Sequence, residues 1–546
     1  MVPRSSRRKP AASQPTAATP NTGATTWRSW LSIAARSLPA RPARADRPGG
    51  PPIASMARWQ RPGSDRDPTG MRYPLGPARL GAGGKCMVVN SKRSRRTPIV
   101  LLSVAVAALV AVGLWLALRV GPAPAITLET EWPAVGKSNL VTASFSAPGR
   151  GLGVIRLELA QGGRTEVLEE QRFERGLGLP LLGGGTAEAV IEATVGTEAF
   201  PWLAEGEVVL RAVAERAAGI MRSPDPVVVE QTLAVRRRPP RLELISSQHY
   251  ARQGGSGAVV YRVGETAARS GVRAGDVESA GSPLPGGAVG DRFVLYALPW
   301  NVGDSSQIRL FAEDDAGNRA EQPFLDLFKP MPPRADTIEV TDAFLERVVP
   351  AITSQTPGFD ASGSLLDQYL RINGELRRAE LNEVAAFSSA SEPAFLWSGP
   401  FLQMPNTALE ANFAQTRTYV YNGRQVDRQT HLGLDLASTA RAPVPAPNSG
   451  KVVYAGWMSL YGNAVVIDHG YGLLSLCGHL SSVSAAAGDR VAKGDVIGAS
   501  GSTGLAGGDH LHLEVFLHGQ SVDPLEWLDA KWIADNLATK LKVPLG

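Results

Sequence analysis

Cysteine is scarce in this sequence, with Cys86 and Cys477 as the only two among 546 residues. The two lie on opposite sides of a long apolar segment, so they cannot pair within the chain, and a domain held together by internal disulfides is excluded. Aromatic residues are also few, at 6%. The 58 glycines and 41 prolines point instead to turn-rich β structure, and the length predicts several domains.

Acidic residues are nearly missing from residues 1–98, which hold 3 Asp and Glu against 19 Lys and Arg. This stretch is rich in Pro, Ser and Ala and shows little apolar periodicity, so it predicts a disordered cytoplasmic tail rather than a basic face that binds nucleic acid. The rest of the chain is acidic, with 37 basic and 48 acidic residues. A competing hypothesis places the true start at Met87, where a short basic lead runs directly into the apolar segment.

Charge is absent from the run 99–118, which is twenty residues long. A helix of that length spans about 30 Å, the thickness of a bilayer's hydrocarbon core. Basic residues at 92–96 precede the run and favour a cytoplasmic N-terminus. We therefore expect one inner-membrane helix, with the rest of the chain in the periplasm or extracytoplasmic space. The text Ala123-Pro124-Ala125 resembles a signal-peptidase site and leaves open a cleaved, released form.

Two β modules are predicted next, at 125–238 and 239–330. In the first, Ile155, Leu157 and Leu159 alternate with charged residues, as in strands of a sandwich. The second ends in the turn text 314–318 and resembles an immunoglobulin-like surface module. We interpret both modules as spacers that hold the C-terminal part of the chain away from the membrane, so that residues 330–546 would suffice for its function.

A helical segment is predicted at 335–394. Thr341 is a suitable N-cap for a first helix, and a second is expected at about 363–388, with Gly374 weakening its middle. The sequence does not choose among a hinge, a partner-binding helix pair and an inhibitory element over an active site. A short amphipathic helix is expected near the C-terminus, in the tail 531–546.

Six of the seven histidines lie between 431 and 518. His431 and Asp435 are four residues apart, and His510 and His512 are two apart, so on extended strands each pair would face one side. Two imidazoles and one carboxylate are a suitable set for Zn²⁺ with one open position. Such a centre polarises a bound water, and the remaining histidines can carry protons or stabilise an oxyanion.

The order of these motifs resembles one family. The motif H-x-G-x-D at His431, G-H-L at His479 and H-L-H at His510, with Gly-rich text between them, is similar to the lysostaphin/LytM-type zinc endopeptidases over about residues 395–530. The resemblance implies an open antiparallel β domain with a groove. It also implies that His431, Asp435 and His512 bind one zinc ion and that His479 and His510 are the catalytic pair.

Several positions depart from the family pattern or lie beside it. Cys477 stands where the family commonly has Tyr, and we interpret it as a packing residue. Either Tyr419 or Tyr421 can supply the tyrosine that contacts the oxyanion in the family. Glu514 has a role either behind the metal ligands or in structure alone. We expect structural roles for the histidines outside the motifs, which are His249, His469 and His518.

The predicted function is that of a zinc metalloendopeptidase that cuts the cross-linking stem peptides of bacterial peptidoglycan. The alternative is a catalytically silent factor that binds the wall or activates an amidase, since many family members have lost motif residues, and envelope proteins would be its partners. A third possibility is a latent peptidase held closed by 335–394. No nucleic-acid partner is expected.

Overall fold

The computed structural model describes residues 96–118, 122–148, 151–174, 185–217, 225–543 and 545. Met87, Cys86 and nearly all of the predicted tail lie outside these residues. Helix α1 is Arg96–Leu118. Within the described part of the chain, no helix combines the length and apolarity of a membrane span, so the predicted anchor stays a prediction.

The first β module is a sandwich of two antiparallel sheets, in strand order β1-β2-β5 and β4-β3-β6-β7. Alternate residues of facing strands, including Phe145, Leu157 and Leu210, are fully or almost fully buried in one core of its own. Its strands are β1 (Ala125–Thr130), β2 (Asn139–Ser146), β3 (Leu152–Gln161), β4 (Arg164–Arg172), β5 (Glu188–Val195), β6 (Gly206–Arg216) and β7 (Val227–Val235).

The second β module is also a sandwich, with sheets β13-β14-β10-β8 and β12-β11-β15-β16 and a separate parallel pair, β17-β9. The predicted turn at 314–318 joins β15 to β16, and the Asp314 carboxylate accepts the backbone N–H of Ala316 and Asn318. The strands are β8 (Leu242–Leu244), β9 (Tyr250–Arg252), β10 (Ser256–Val263), β11 (Ala267–Ala274), β12 (Val277–Ala280), β13 (Ser282–Pro283), β14 (Asp291–Ala297), β15 (Ile308–Asp314), β16 (Arg319–Gln322) and β17 (Leu327–Lys329), with a 3₁₀ turn at Ser305–Gln307.

One sheet of this second module is buried on both faces. On β10, Val259 and Tyr261 face the module's own core, whereas Ala258 and Val260 pack in a different core with residues of the C-terminal domain. On β14, Val294 and Tyr296 likewise face the module's own core, and the alternate residues Phe293 and Leu295 pack in the core with the C-terminal domain. The second module therefore shares a hydrophobic core with the C-terminal domain, which a simple spacer would not do.

A buried carboxyl group reinforces this junction. Glu526, which follows the last strand of the C-terminal domain, accepts hydrogen bonds from the Ser256 backbone N–H at 2.7 Å and from its hydroxyl at 3.1 Å. A Cβ at Gly255 would lie 2.4 Å from the Glu526 carboxylate, so glycine is needed for this approach. Burial raises the pKa of Glu526 to about 8, so the group is mainly neutral at pH 7 and its burial costs less.

The helical segment contains a strand and three helices, β18 (Arg334–Glu339), α2 (Asp342–Thr353), α3 (Leu365–Arg371) and α4 (Arg377–Ser389). Thr341 caps α2 as predicted, accepting the N–H of Phe344. The expected weak point at Gly374 is a π-helical turn, Ile372–Leu376, between α3 and α4. Strand β18 pairs in parallel with residues 415–420 of the C-terminal domain.

The C-terminal domain is built on an antiparallel sheet with strand order β19-β22-β30-β26-β25-β24-β28, and β31 pairs with β30. Smaller sheets, β18-β20-β21 and β23-β29-β27, flank it. The central strands β26 and β30 are buried along their whole length because apolar cores cover both faces.

The strands of this domain are β19 (Ala408–Ala411), β20 (Gln415–Tyr421), β21 (Arg424–His431), β22 (Leu434–Ala437), β23 (Pro443–Pro445), β24 (Gly450–Met458), β25 (Gly462–Gly470), β26 (Leu473–Leu480), β27 (Ser482–Val483), β28 (Arg490–Val491), β29 (Val496–Ala499), β30 (Leu511–Leu517) and β31 (Gln520–Val522). The C-terminal helices are α5 (Pro524–Leu528), α6 (Ala530–Ile533) and α7 (Thr539–Leu541), with a 3₁₀ turn at Ser459–Tyr461 and a π turn at Ala534–Ala538. The C-terminal helices correspond to the predicted amphipathic helix but begin earlier, at Pro524. Ile533 and Leu537 in this region lie in the core shared with the second module.

Candidate metal centre and active site

Strand register brings His431, Asp435 and His512 together. Asp435 on β22 lies directly opposite His512 on β30, and His512 lies opposite Gly478 on β26. His431 ends β21, and the chain leaves the extended conformation at 432–433 before β22 begins. The expectation that His431 and Asp435 share one continuous strand was wrong, although the two side chains do converge.

Three ligand atoms meet in this cluster. His431 Nε2 lies 2.9 Å from Asp435 Oδ1, His512 Nδ1 lies 3.0 Å from the same oxygen, and the two nitrogens are 3.2 Å apart. All three residues are buried. A tetrahedral zinc ion with bonds of about 2.0–2.2 Å keeps its ligand atoms about 3.3–3.6 Å apart. The observed triangle is slightly smaller and fits one ion of this kind.

The outer hydrogen bonds of the two histidines indicate why a cation belongs there. His431 Nδ1 lies 2.9 Å from the Asn412 carbonyl and must donate its proton to it. His512 Nε2 lies 3.2 Å from a Glu514 oxygen and donates in the same way. When both imidazoles are neutral, their remaining lone pairs point at the Asp435 carboxylate. Three electron-pair donors facing one another are satisfied by a metal ion.

Glu514 is the centre of a buried network behind His512. It is 1% exposed and accepts hydrogen bonds from the Tyr461 hydroxyl at 2.8 Å and the Ser521 hydroxyl at 2.5 Å, in addition to His512. The carboxylate thereby fixes the ring orientation and tautomer of His512. The sequence left open whether Glu514 supports the candidate metal ligands or has a structural role alone, and this geometry corresponds to support of the ligands.

Gly433 permits the close approach of β22 and His512. A Cβ at this position would lie 2.6 Å from His512 Cε1 and 2.7 Å from its Nε2. Carbon atoms do not approach an imidazole so closely, so a larger residue would displace the ring. This contact gives a physical reason for the glycine in the H-x-G-x-D motif.

His479 and His510 lie beside the three ligands. Their ring centroids are 4.9 Å apart, and the His479 ring is 5.7 Å from that of His512. His479 Nδ1 contacts the Thr503 carbonyl at 2.8 Å, and His510 Nδ1 contacts the Gly508 carbonyl at 2.9 Å. The Nε2 of His479 is therefore left for the pocket, whereas the Nε2 of His510 lies 3.5 Å from Asp435 Oδ1. His479 has φ 61°, an uncommon conformation for a non-glycine residue and one that clusters at functional sites.

Burial and charge set the protonation of the cluster. Burial lowers the pKa of His431, and burial together with the neighbouring His510 and His512 holds the pKa of His479 well below its ordinary value. Burial raises the pKa of Asp435, but hydrogen bonds from the surrounding histidines outweigh it and leave that pKa well below 3.8. His479 is therefore neutral and Asp435 ionised across the physiological range.

Among the protein groups alone, His512 behaves differently from its neighbours. Burial lowers its pKa, but the hydrogen bonds to Asp435 and Glu514 outweigh burial and raise the pKa to about 9. A positive charge is therefore favoured at this position between two carboxylates. A bound cation satisfies the same electrostatic demand.

Arg417 on β20 holds the other side of Asp435. Its Nη2 donates to Asp435 Oδ2 at 2.6 Å, so only Oδ1 remains directed at the two histidines. Arg417 could not be recognised from the sequence, because an arginine in a strand among Thr and Tyr carries no motif signal. The Asn412 carbonyl could not be recognised either, since a backbone group leaves no trace in the sequence.

The cluster lies at the bottom of a cavity of about 480 Å³. The helical segment forms the opposite wall, hereafter the roof (334–389), through Ile338, Phe344, Tyr369 and Arg377. The roof is attached to the C-terminal domain on both sides of the cavity. It joins β20 through β18, and the Arg347 guanidinium donates to the Ala506 and Gly507 carbonyls at 3.1 and 3.4 Å.

Other sequence candidates lie outside the cluster. His469 bonds to the Ser449 carbonyl and the Ser475 hydroxyl, and His518 lies in the turn between β30 and β31, as expected. Cys477 is completely buried in an apolar core, which confirms its packing role, and burial raises the pKa of its thiol to about 12. His249 lies in the second module, bonded to Ser246.

The two candidate tyrosines differ in position. Tyr419 lines the cavity. Tyr421 is directed to α2, where its hydroxyl donates to Asp342 at 2.7 Å. Of the two, Tyr419 is the one positioned to face a substrate.

Comparisons with known proteins match the C-terminal domain. Residues 429–524 match the family described as Peptidase family M23. The chain is 44% identical over 95 residues to the DD-carboxypeptidase/endopeptidase Mpg of Neisseria meningitidis serogroup B, covering 17% of this chain and 22% of Mpg. It is 35% identical over 96 residues to the murein hydrolase activator EnvC of Escherichia coli K12, covering 18% of this chain and 23% of EnvC.

Among solved structures, the catalytic domain of lysostaphin from Staphylococcus simulans is 27% identical. The match covers 26% of this chain and 96% of that domain, with a TM-score of 0.18. The chain spans about a fifth of the length of the curated relatives it matches.

Proposed function

Since residues 429–524 are a peptidase family M23 domain, we propose that this chain is a zinc-dependent endopeptidase that hydrolyses peptide cross-links of bacterial peptidoglycan. The observation that supports this most is the convergence of His431 Nε2, Asp435 Oδ1 and His512 Nδ1 within 3.2 Å of one another. Two neutral imidazoles and a carboxylate are the donor set of catalytic zinc sites.

His431, Asp435 and His512 would hold the zinc ion, with Glu514 and the Asn412 carbonyl fixing the two imidazoles. When bound there, zinc supplies a Lewis acid for the attack of water on a peptide carbonyl. His479 is neutral and buried, with Nε2 free on the pocket side, and accepts the proton of the attacking water. His510 completes the pair across the pocket and stabilises the charge that develops on the carbonyl oxygen.

A second candidate function is that of a non-cutting activator of a murein hydrolase. The likeness to the activator EnvC favours it, and its partners would be envelope proteins. The complete set of two imidazoles, one carboxylate and two further histidines argues for the enzyme, because an activator has no need of a metal site. Zinc content and lysis of peptidoglycan separate the two functions.

The test uses the exported part of the chain, from residue 122 onward, on purified peptidoglycan. We expect about one zinc per chain, release of soluble muropeptides, and loss of release with a chelator. His431→Ala and His512→Ala should lose both zinc and lysis, whereas His518→Asn, outside the cluster and suited to a left-handed turn, should keep both. Lysis that survives either ligand substitution refutes the metal assignment, and bound zinc without lysis favours the activator.

We further propose that the chain is anchored in the inner membrane by residues 99–118, with its catalytic domain in the periplasm or extracytoplasmic space. The support is the charge-free run of twenty residues with basic residues before it. Its substrate would be the peptide stems of the adjacent wall. Fractionation of cells that produce the full chain, with protease added to the outside of the inner membrane, checks both statements.

A further inference from the structure

The roof presents hydrogen-bond donors to the cavity that the proposed reaction does not use. Tyr369 is fully buried, and its hydroxyl has no hydrogen-bond partner among the described residues. Its ring packs edge-on against Phe344 and Tyr419, both of which line the same cavity. An unsatisfied buried hydroxyl costs free energy, so a position of this kind is typically completed by a ligand or water.

Two guanidinium groups line the cavity with Tyr369. Arg377 lies at the start of α4, and Arg417 lies on β20, next to the metal ligands. Burial raises the pKa of the Tyr369 hydroxyl, and the positive charges of Arg377 and Arg417 act in the opposite direction. Both guanidinium groups are thus close enough to the hydroxyl for their charges to be felt there.

Each guanidinium is held in place and still has donors to offer. Arg377 donates through Nε and Nη2 to the Asn373 carbonyl and side-chain oxygen at 3.2 and 2.6 Å, and Asn373 is itself fixed by Asp427 at 2.7 Å. Arg377 forms no ion pair with a carboxylate in the part of the chain that the structure describes. Arg417 uses Nη2 on Asp435, and its buried Nε lacks a partner within the same residues.

The carboxylates of the cavity satisfy only part of this group of donors. Asp435 pairs with Arg417 through Nη2 alone, and Asp509 accepts from the Ser500 hydroxyl and the Arg441 backbone N–H. Asp336 and Glu410 are exposed to solvent. Within the described residues, the inner wall of the cavity therefore has one guanidinium without a carboxylate partner, that of Arg377, and two unpartnered donors, Arg417 Nε and the Tyr369 hydroxyl.

We propose that Arg377, Arg417 and the Tyr369 hydroxyl form a subsite for a free carboxylate on the substrate residue that supplies the amine of the scissile bond. This inference rests on the proposed function and narrows its substrate class. Planar guanidinium groups recognise carboxylates through paired, charge-assisted hydrogen bonds. The subsite favours peptide bonds in which the amine-side residue carries its own α-carboxylate.

This requirement separates two kinds of cross-link. In a direct D,D cross-link, and in a terminal D-alanyl-D-alanine, the amine-side residue has a free carboxylate one carbon away from the scissile nitrogen. In a glycyl bridge that carbon is followed by another amide, which has no negative charge. A subsite with two guanidinium groups binds the free carboxylate of a D,D cross-link and gains little from the uncharged amide of a glycyl bridge.

The test compares two synthetic peptides that end in D-alanyl-D-alanine, one with a free C-terminal carboxylate and the other with a C-terminal amide. The zinc-loaded exported chain should cleave the carboxylate peptide with a kcat/KM about 10-fold to 100-fold higher, as expected for one or two charge-assisted hydrogen bonds. Arg377→Met should remove most of that preference by raising KM for the carboxylate peptide.

Tyr369→Phe should lower the preference by a smaller factor, about 3-fold to 10-fold, because one neutral donor is lost. Arg378→Met is the matched control, since Arg378 is the exposed neighbour of Arg377 and does not line the cavity. It should keep the full preference. Arg377→Gln serves as a second variant should the methionine variant unfold, and the comparison of the two peptides on the unsubstituted chain does not depend on any variant.

The outcomes distinguish the subsite from the proposed function. Equal cleavage of both peptides, or a preference that survives Arg377→Met, overturns the subsite while the peptidase assignment stands. Cleavage of neither peptide, together with no release from whole peptidoglycan, overturns the peptidase assignment and the subsite with it. Preference for the carboxylate peptide that Arg377→Met abolishes supports both.

Discussion

Glu514 supports the candidate metal cluster from behind His512. Its carboxylate accepts the Nε2 proton of His512 and leaves Nδ1 as the ligand atom, while Tyr461 and Ser521 hold the carboxylate in place. Outer partners of this kind set ligand orientation and basicity. The chemistry of the three ligand residues therefore depends on a fourth side chain buried behind them.

We predict that Glu514→Gln lowers zinc affinity by about 10-fold to 100-fold, the usual effect of losing such a partner. The amide has one oxygen for three donors, so the His512 ring loses its fixed tautomer. Competition with a fluorescent zinc chelator measures the affinity directly. Glu392→Gln, a surface change at an ion pair with Arg490, should leave it unaltered, and an equal affinity for Glu514→Gln would contradict the role described.

The five motif residues were predictable because their spacing and order are distinctive, and the structure brings all five to one cavity. What could not be predicted is how they converge. The break at 432–433 and the closeness of Gly433 to His512 are consequences of tertiary packing. Arg417 was also out of reach, since the partner that gives it meaning, Asp435, is on a different strand.

At the scale of elements, the roof and the loop 503–508 act as one wall. Arg347 on α2 donates to the Ala506 and Gly507 carbonyls, and the Thr503 carbonyl of the same loop holds His479. The roof thus supports His479, the proposed proton acceptor, through this loop. An inhibitory lid would instead be expected to leave the catalytic residues in place when it is loosened.

We predict that Arg347→Ala lowers kcat by about 3-fold to 10-fold, because the loop loses hydrogen bonds worth about 1 kcal/mol each and His479 loses part of its support. The measurement is hydrolysis of a small soluble peptide, because such a substrate can enter the cavity without a large movement of the roof. Glu346→Ala, its exposed neighbour on α2, is the control and should match the unsubstituted chain. A rise in activity for Arg347→Ala would identify the roof as an inhibitory lid.

The helices of the roof were predicted with fair accuracy because caps and breaks are local signals. Thr341 caps α2, and Gly374 lies in the π turn. The place of the roof over the cavity was not predictable, because the contacts that set it join residues far apart in sequence, as between Arg334 and Gln415 and between Arg347 and Ala506.

At the scale of the whole molecule, buried neutral histidines link stability to pH. Burial lowers the pKa of both His469 and His518 to about 4, from an ordinary value of 6.5. The unfolded chain therefore takes up protons first as the pH falls. Stability from each residue is complete above about pH 6.5 and is lost as the pH falls from there to about 4.

We predict that the free energy of unfolding falls by about 3 kcal/mol for each of these histidines between pH 7 and pH 4, from a shift of about 2.5 pKa units. Urea unfolding at intervals of half a pH unit measures the slope. His518→Asn should flatten the curve relative to the unsubstituted chain over the same range, because the asparagine does not titrate. An identical slope in that variant would contradict the assignment.

The packing of the second module against the C-terminal domain could not be predicted from the hydrophobic pattern of its strands. Strands buried on one face alternate clearly in sequence, as Ile155, Leu157 and Leu159 do in the first module. Strand β10 is buried on both faces, so its residues form a continuous apolar run that does not reveal two separate partners. The spacer interpretation stays a prediction, but residues 330–546 alone would expose the C-terminal domain's side of the shared core.

That shared core has a practical consequence for anyone who handles the protein. A single backbone cut in the exposed, proline-rich stretch around 330–333 would leave intact the core that Phe293 and Leu295 share with Trp527 and Leu517. The nicked molecule should run as two bands under denaturing conditions and elute as one species from a sizing column. Apparent integrity by elution volume is therefore no evidence that the backbone is intact.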